Sequence, residues 1–204
     1  MISDNAKDGV NGNALYRRIM RAAEERFKRN GFRGVTMEAV ARDAAVSKAT
    51  LYSHFGNKDE LFLGVCSRMA LLLGHAFGEA LATPQQTLDE RILAAMLAKH
   101  RLTYTLVRSS PHAEELFSHK AQLAGDLFAR ADGVMLQQLT EALRRDSLLR
   151  PSAQQLARAL FFGTGELAAR SSSVERLESD LTAFVAVHLA GARALARTGA
   201  TRRR

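Results

Sequence analysis

Apolar residues recur at intervals of three and four along most of the chain, which predicts helices. The first stripe repeats every four positions and comprises Leu15, Ile19, Ala23 and Phe27, the spacing of one helix face. This helix is expected to end at Asn30-Gly31, because glycine readily adopts the left-handed conformation that closes a helix. No segment alternates apolar and polar residues for long enough to predict a half-buried strand.

Cap residues divide the following segment into short helices. Thr36 and Ser47 are each expected to cap a short helix with the side-chain hydroxyl, and Phe55-Gly56 is expected to end the second of them. Asn57, with Glu60 three residues later, has the spacing of a capping box and predicts the start of a long fourth helix. Three helices in succession therefore precede a long one.

The remaining two thirds of the chain also show helical spacing. Further helices are predicted over 86–108, 112–120, 121–146, 152–170 and 173–197. Ser152 with Gln155, and Ser172 with Glu175, repeat the capping-box spacing at the last two starts. The pattern predicts an all-α protein.

Composition and charge narrow the class of protein. Of 204 residues, 47% are hydrophobic and 25% charged, which is typical of a globular protein. The net charge of +8 is uneven: residues 1–60 carry +3, residues 61–180 carry zero, and residues 181–204 carry +5. A basic N-terminal third beside a neutral body indicates a polyanion-binding region. The final three arginines are interpreted as a solvated tail.

Residue types with catalytic or metal-binding chemistry are sparse. The single Cys66 excludes an internal disulfide and a CxxC metal framework, and the six histidines include no HExxH pair. We therefore expect no catalytic residues, no metal and no cofactor. The polar segment 1–13 has no apolar signal core, and the uncharged run 181–192 is too short to span a membrane. These features predict a cytoplasmic protein with no membrane partner.

The segment from Thr36 to Lys58 has the organisation of a helix-turn-helix, in which the second helix enters the DNA major groove. Val46, Leu51 and Phe55 are expected to point inward. Small, hydroxyl, aromatic and cationic side chains remain for the exposed face, namely Lys48, Ala49, Thr50, Tyr52, Ser53 and His54. Such side chains can approach base edges and phosphates closely.

This segment resembles the DNA-binding domain of the tetracycline-repressor (TetR) family of bacterial regulators. The resemblance is carried by Val46–Phe55, Asn57–Leu61 and the preceding helix with Phe27 and Gly31-Phe32, and it covers about residues 14–62. It implies an N-terminal three-helix DNA-binding domain, joined by a long helix to a C-terminal helical ligand-binding and dimerisation domain. The expected division is a flexible tail (1–12), the DNA-binding domain (13–73), the effector and dimerisation domain (74–198) and a basic tail (199–204).

By position, the resemblance also implies a set of DNA contacts. They are Thr36, Ser47, Lys48, Ala49, Thr50, Tyr52, Ser53, His54 and Lys58. Ala45 and Ala49 stand where the family commonly has glycine. Alanine at a left-handed turn position costs about 1 kcal/mol, which a well-packed motif tolerates.

For the rest of the chain, the resemblance implies a homodimer formed through the last two helices and a small-molecule effector. The effector is expected to be largely apolar and to bind within 86–170. Candidate pocket residues are Met96, His100, Tyr104, Phe117, Phe128, Met135 and Phe161.

The function predicted is a ligand-responsive homodimeric repressor that binds a palindromic operator. The alternative is a helical ligand-binding or interaction protein whose helix-turn-helix no longer binds DNA. An enzyme is disfavoured, because the sequence offers no catalytic constellation.

Overall fold

The computed structural model describes residues 10–201, with the side chains of residues 14–198. Every regular element in this range is helical, which confirms the all-α prediction. The α-helices are α1 (Val10–Asn30), α2 (Met37–Asp43), α3 (Lys48–His54), α4 (Lys58–Ala82), α5 (Leu88–Thr103), α6 (Ala113–Arg144), α7 (Ala153–Arg170) and α8 (Val174–Thr201).

The first helix boundaries follow the predicted caps. The hydroxyls of Thr36 and Ser47 accept the backbone N–H three residues on, at 3.2 and 2.9 Å, and the Asn57 side chain does the same at 2.8 Å. Gly31 ends α1 with φ +68°. Each cap joins residues only three or four positions apart, so the local sequence is enough to predict it.

Three boundaries further along differ from prediction. The segments predicted as separate helices over 112–120 and 121–146 are continuous in α6 up to a kink at Ala124, which has non-helical backbone angles (φ −124°, ψ 16°) and precedes Gly125, so the predicted break lies about four residues too early. Ser152 caps no N–H and belongs to a short 3₁₀ turn before α7. Ser173, not Ser172, accepts the Arg176 N–H at the start of α8.

The helix predicted over 86–108 is confirmed, but its last turn is π-helical instead of α-helical. A capping box between Thr87 and Glu90 starts α5, and the chain then forms a π-helical turn over Tyr104–Arg108. In a π-helical turn each hydrogen bond spans one residue more than in an α-helix, and such turns often mark a functional site.

The chain forms two compact units. The N-terminal unit runs to Met69 and includes residues 106–125; the C-terminal unit comprises 70–105 and the residues from 126 onward. This division differs from the predicted boundary at 73/74, since 106–125 groups with the N-terminal segment. Helix α1 already covers 10–12 of the predicted N-terminal tail, and α8 reaches Thr201. The rest of both predicted tails, 1–9 and 202–204, lies outside the described residues.

The core of the C-terminal unit is apolar, and a partly exposed charge cluster lies at its edge. Phe77, Met96 and Leu139 are fully buried, and α8 packs on α5 and α7. Arg193 on α8 donates two hydrogen bonds to Asp89 (2.7 and 2.6 Å) and one to Asp146 (2.9 Å). This arginine ties the start of α5 and the α6–α7 connection to the last helix.

Helix α4 is the one described helix long and apolar enough to cross a membrane by length and composition, with a mean hydropathy of 1.5 in its most apolar window. Two of its side chains, Leu61 and Phe77, are fully buried, one in each unit. The helix thus contributes apolar side chains to both cores, while Leu71 on the same helix is 75% exposed.

Candidate nucleic-acid interface

The turn between α2 and α3 fixes the angle of the helix-turn-helix. Ala45 adopts φ +51°, the only positive φ of a non-glycine residue in the described part of the chain. The Val46 N–H donates to the carbonyl of Ala41 at 3.0 Å and closes the turn. The prediction that Ala45 occupies a left-handed position is confirmed.

Helix α3 presents one apolar side inward and a polar side to solvent. Leu51 and Phe55 are buried, and Val46 is half-buried, as predicted. The exposed residues on and beside this helix are Ser47, Lys48, Ala49, Tyr52, Ser53 and His54, while Thr50 is half-buried. The residue types suited to DNA contact are thus together on one accessible surface, which we call the α3 face.

Several hydroxyls of the α3 face also stabilise the helix. The Ser47 and Thr50 hydroxyl oxygens lie 2.7 Å apart, and the Ser53 hydroxyl donates to the Thr50 carbonyl at 2.8 Å. Thr36 caps α2 in the same way. Thr36 accepts from the backbone and keeps its one hydroxyl proton for a phosphate. The Ser53 proton, by contrast, is already donated to the Thr50 carbonyl, and one proton of the Ser47–Thr50 pair is used between those two hydroxyls.

Lys48 at the start of α3 is paired with a carboxylate that sequence analysis missed. Its Nζ lies 2.5 Å from Oε1 of Glu38 on α2 and 5.6 Å from the centre of the Tyr52 ring. The hydrogen bond from Lys48 lowers the pKa of Glu38, and the same bond raises the pKa of Lys48. Both groups are therefore charged at neutral pH. The only sequence signal was the position of Glu38 in the first turn of α2.

Lys58 lies at the other edge of the interface, in the first turn of α4. Its Nζ donates to the carbonyl of Phe32 at 3.0 Å and lies 4.4 Å from the centre of that ring. An ammonium has three N–H donors, so two remain for a phosphate. Its position at a helix N-terminus also favours an anion.

Residues 106–125 pack behind the helix-turn-helix, a contact that sequence analysis did not predict. The His119 imidazole stacks on Phe32, and Ser110 donates to the Lys28 carbonyl at 2.6 Å. The Arg33 N–H donates to Glu115 Oε1 at 2.8 Å. The partners are about 80 residues apart in sequence, so no local pattern indicates them.

The seven predicted effector residues are distributed over both units. Phe117 belongs to the N-terminal unit and the other six to the C-terminal unit. Met96, Met135 and Phe161 are almost completely buried, and Phe128 is buried as well. Tyr104 is half-buried and its hydroxyl donates to the Ser172 carbonyl at 3.1 Å.

His100 is a polar group within the apolar core of the C-terminal unit. Its Nε2 lies 3.1 Å from the Thr164 hydroxyl, which itself donates to the Leu160 carbonyl at 2.7 Å. The imidazole is therefore the donor to Thr164. Burial, together with the charge of Lys99, lowers the pKa of His100 to about 3, so the ring is neutral at physiological pH.

Two open grooves lie on the C-terminal unit. The larger, of about 450 Å³, is lined by residues that include Leu81, Arg91, Val134 and Arg145. The smaller, of about 330 Å³, lies between α6 and α7. None of the seven predicted effector residues lines either groove. Among the residues whose side chains are described, no group of three His, Cys, Asp or Glu could hold a metal ion.

Comparison with known proteins places the helix-turn-helix in a family. The model of bacterial regulatory proteins of the tetR family matches residues 19–65. UidR, a helix-turn-helix transcriptional regulator of Escherichia coli K12, is 42% identical over 48 residues, 24% of each chain. The transcriptional repressor NicS of Pseudomonas putida is 27% identical over 137 residues, 65% of this chain and 64% of NicS.

The chain thus spans about a quarter of the length of the first curated relatives it matches. The names of other relatives include both repressor and activator. The fold extends over most of the chain: a transcriptional regulator from Rhodococcus sp. Rha1 superimposes with a TM-score of 0.68 at 20% identity, covering 86% of this chain and 96% of that one.

The left-handed Ala45 turn, the α3 face, the family match over 19–65 and the shared fold agree with one another. Residues 19–65 form a helix-turn-helix domain of the tetR family of bacterial regulatory proteins.

Proposed function

We propose that the protein is a DNA-binding transcriptional regulator that places α3 in the major groove. The observation that carries this proposal is the α3 face, where Lys48, Tyr52 and His54 are exposed beside a cationic helix start at Lys58. Lys58 and Tyr52 offer donors to phosphates, and short side chains such as Ala49 let the helix approach base edges. Such a regulator works in the cytoplasm, where bacterial DNA lies.

The active form we propose is a homodimer. One α3 contacts only a few base pairs, so two copies related by a twofold axis are needed for a specific site, and that site is a palindrome. Helix α8 supports this assembly with an exposed apolar stripe that includes Ala183, Val187, Ala190 and Gly191. On α7, Phe162 is half-exposed, whereas Ala157 and Gly163 already pack within the chain.

The assembly is tested by light scattering at micromolar concentration. We expect twice the chain mass of 22.4 kDa. Val187→Glu should give monomer, because it places a charge in the proposed apolar contact, while Ala129→Glu on the exposed side of α6 should remain dimeric. A wild-type mass of one chain contradicts the homodimer.

Regulation by a small molecule is the third part of the proposal. The C-terminal unit is larger than a helix-turn-helix needs for stability, and its core holds the neutral His100–Thr164 pair that could bind a polar atom of an otherwise apolar ligand. A ligand that prefers the conformation unable to match the groove spacing lowers DNA affinity; a coupling of about 1–3 kcal/mol gives about 5–150-fold. The sign of regulation we propose is repression, as in NicS.

The experiment that tests DNA binding is selection from a random duplex library, followed by binding measurements at several salt concentrations. We expect an enriched inverted repeat and an affinity that falls steeply with salt. A folded protein that enriches no sequence contradicts the proposal and favours a helical ligand-binding or interaction protein. Calorimetric titration of a chemical panel, repeated with the selected DNA, then tests the effector: binders that all leave DNA affinity unchanged contradict ligand control.

A further inference from the structure

Glu38 places a carboxylate on the surface that the proposed function directs towards DNA. Its side chain on α2 is 55% exposed and that of Lys48 is 62% exposed, yet Nζ and Oε1 are 2.5 Å apart. The two groups come from the two helices of the helix-turn-helix and meet beside Tyr52. A carboxylate near the phosphate backbone opposes DNA binding. We therefore ask what Glu38 contributes to recognition that offsets this repulsion.

The other exposed acid of α2 has a different environment. Asp43 is held by Arg26, and Arg29 lies 3.7 Å from it. Both arginines belong to α1, so their contacts with Asp43 join α1 to α2 and stabilise the domain. For Glu38 the cation is on α3, the helix proposed to enter the groove.

The chemistry of the pair matches one kind of base pair. In the major groove, guanine presents the acceptors O6 and N7, and cytosine presents the N4 donor. Lysine donates to guanine, and glutamate accepts from cytosine. The O6 and N4 atoms of a G·C pair are hydrogen-bonded to each other and therefore about 3 Å apart, which is close to the spacing of Nζ and Oε1.

We propose that Glu38 and Lys48 together recognise one G·C base pair in each half-site, with Lys48 donating to guanine and Glu38 accepting from cytosine. This inference rests on the proposed function. Glu38 has a second effect: because it neutralises Lys48, the lysine gains little from phosphates, which are the same in every sequence. The pair thus favours specific over non-specific DNA.

The test compares Glu38→Gln with Glu25→Gln. Glu25 is exposed on α1, so both substitutions remove one carboxylate from the same unit and change the net charge equally. Each protein is used in full length for library selection and for binding at several salt concentrations, after thermal melting has shown that it folds.

For Glu38→Gln we expect the preference for G·C at one position of each half-site to fall about tenfold. We also expect the salt dependence on unrelated DNA to steepen by about 0.9 in log–log slope, because Lys48 becomes available to a phosphate. Glu25→Gln should match the wild type in both measurements. Lys48→Gln should relax the same base-pair position.

Each remaining outcome overturns a defined part of the argument. If wild-type protein enriches a site but Glu38→Gln and Glu25→Gln give identical base preferences, the inference is wrong and the proposed function stands. If Glu38→Gln changes the preference equally in a Lys48→Gln background, Glu38 acts without Lys48 and the paired recognition is wrong. If wild-type protein enriches no site, the proposed function itself fails.

Discussion

The imidazole of His119 stacks on the phenyl ring of Phe32, with ring centres 3.5 Å apart. Phe32 lies just after α1. The Lys58 ammonium lies over the Phe32 ring and donates a hydrogen bond to the Phe32 carbonyl. His119 lies in the first third of α6. Phe32 thus contacts both Lys58, which is proposed to bind a DNA phosphate, and the segment 106–125 that packs against the helix-turn-helix.

Replacing His119 with alanine should destabilise the N-terminal unit by about 1 kcal/mol, because an aromatic pair contributes about 0.5–1.5 kcal/mol beyond burial. His119→Phe should retain most of the stability, since it keeps the stack. Chemical denaturation measures the difference. His75→Ala is the control, because His75 is exposed on α4; equal losses in His119→Ala and His119→Phe would show that stacking is not the cause.

Ala45→Gly should stabilise the protein by about 1 kcal/mol, because glycine adopts φ +51° without the steric cost of a Cβ. Ala121→Gly on the exposed surface of α6 should have the opposite sign, costing about 1 kcal/mol of helix propensity. Thermal melting of both variants checks the prediction. A destabilised Ala45→Gly would mean that the Ala45 methyl group contributes a contact larger than the strain.

Gly163 and Gly133 should respond oppositely to alanine. A Cβ at Gly163 would lie 2.4 Å from the Phe184 ring, so Gly163→Ala forces α7 and α8 apart and should cost about 1–3 kcal/mol. A Cβ at Gly133 meets nothing within 4 Å, so Gly133→Ala should stabilise α6 by up to about 1 kcal/mol. Denaturation midpoints measure both, and a neutral Gly163→Ala would show that Phe184 moves aside freely.

His100 should make stability fall as the solution is acidified. In the unfolded chain it binds a proton near its ordinary pKa of about 6.5, whereas in the folded protein it does so only near pH 3. Between these values the unfolded state binds more protons, so this residue alone removes about 1.4 kcal/mol of stability per pH unit. Above pH 6.5 it contributes no pH dependence.

The measurement compares the wild type with His100→Gln, which can still donate to Thr164 but does not titrate. The difference in unfolding free energy should change steadily between about pH 6 and pH 4.5. His75→Gln, the same substitution at an exposed position, serves as the control. A pH-independent difference for His100→Gln would place His100 in contact with water.

The parts of the molecule that sequence analysis predicted are those specified by nearby residues. Thr36, Ser47 and Asn57 cap their helices through bonds to residues three positions away, and Gly31 and Ala45 mark the left-handed positions. The inward positions of Leu51 and Phe55 follow from helical periodicity. The residues exposed on α3 could therefore be predicted from the sequence.

The parts that were missed depend on distant residues. The Phe32–His119 stack and the Ser110–Lys28 bond join residues more than 80 positions apart, and periodicity carries no information on such pairs. The Glu38–Lys48 pair spans a turn whose angle is set by Ala45. The cap of α8 was predicted one residue too early, at Ser172 instead of Ser173, because three consecutive serines offer equivalent hydroxyls.

The central claim, that the α3 face and the start of α4 bind DNA, is tested most directly by the salt dependence of binding to the selected duplex. Lys58→Ala should weaken binding and reduce the log–log slope by about one, because one phosphate contact is lost. Tyr52→Phe should weaken binding through the lost hydroxyl while keeping the slope. Arg145→Ala, an equal charge change at an exposed site of the C-terminal unit, should match the wild type in both; a Lys58→Ala slope equal to that of the wild type would contradict the claim.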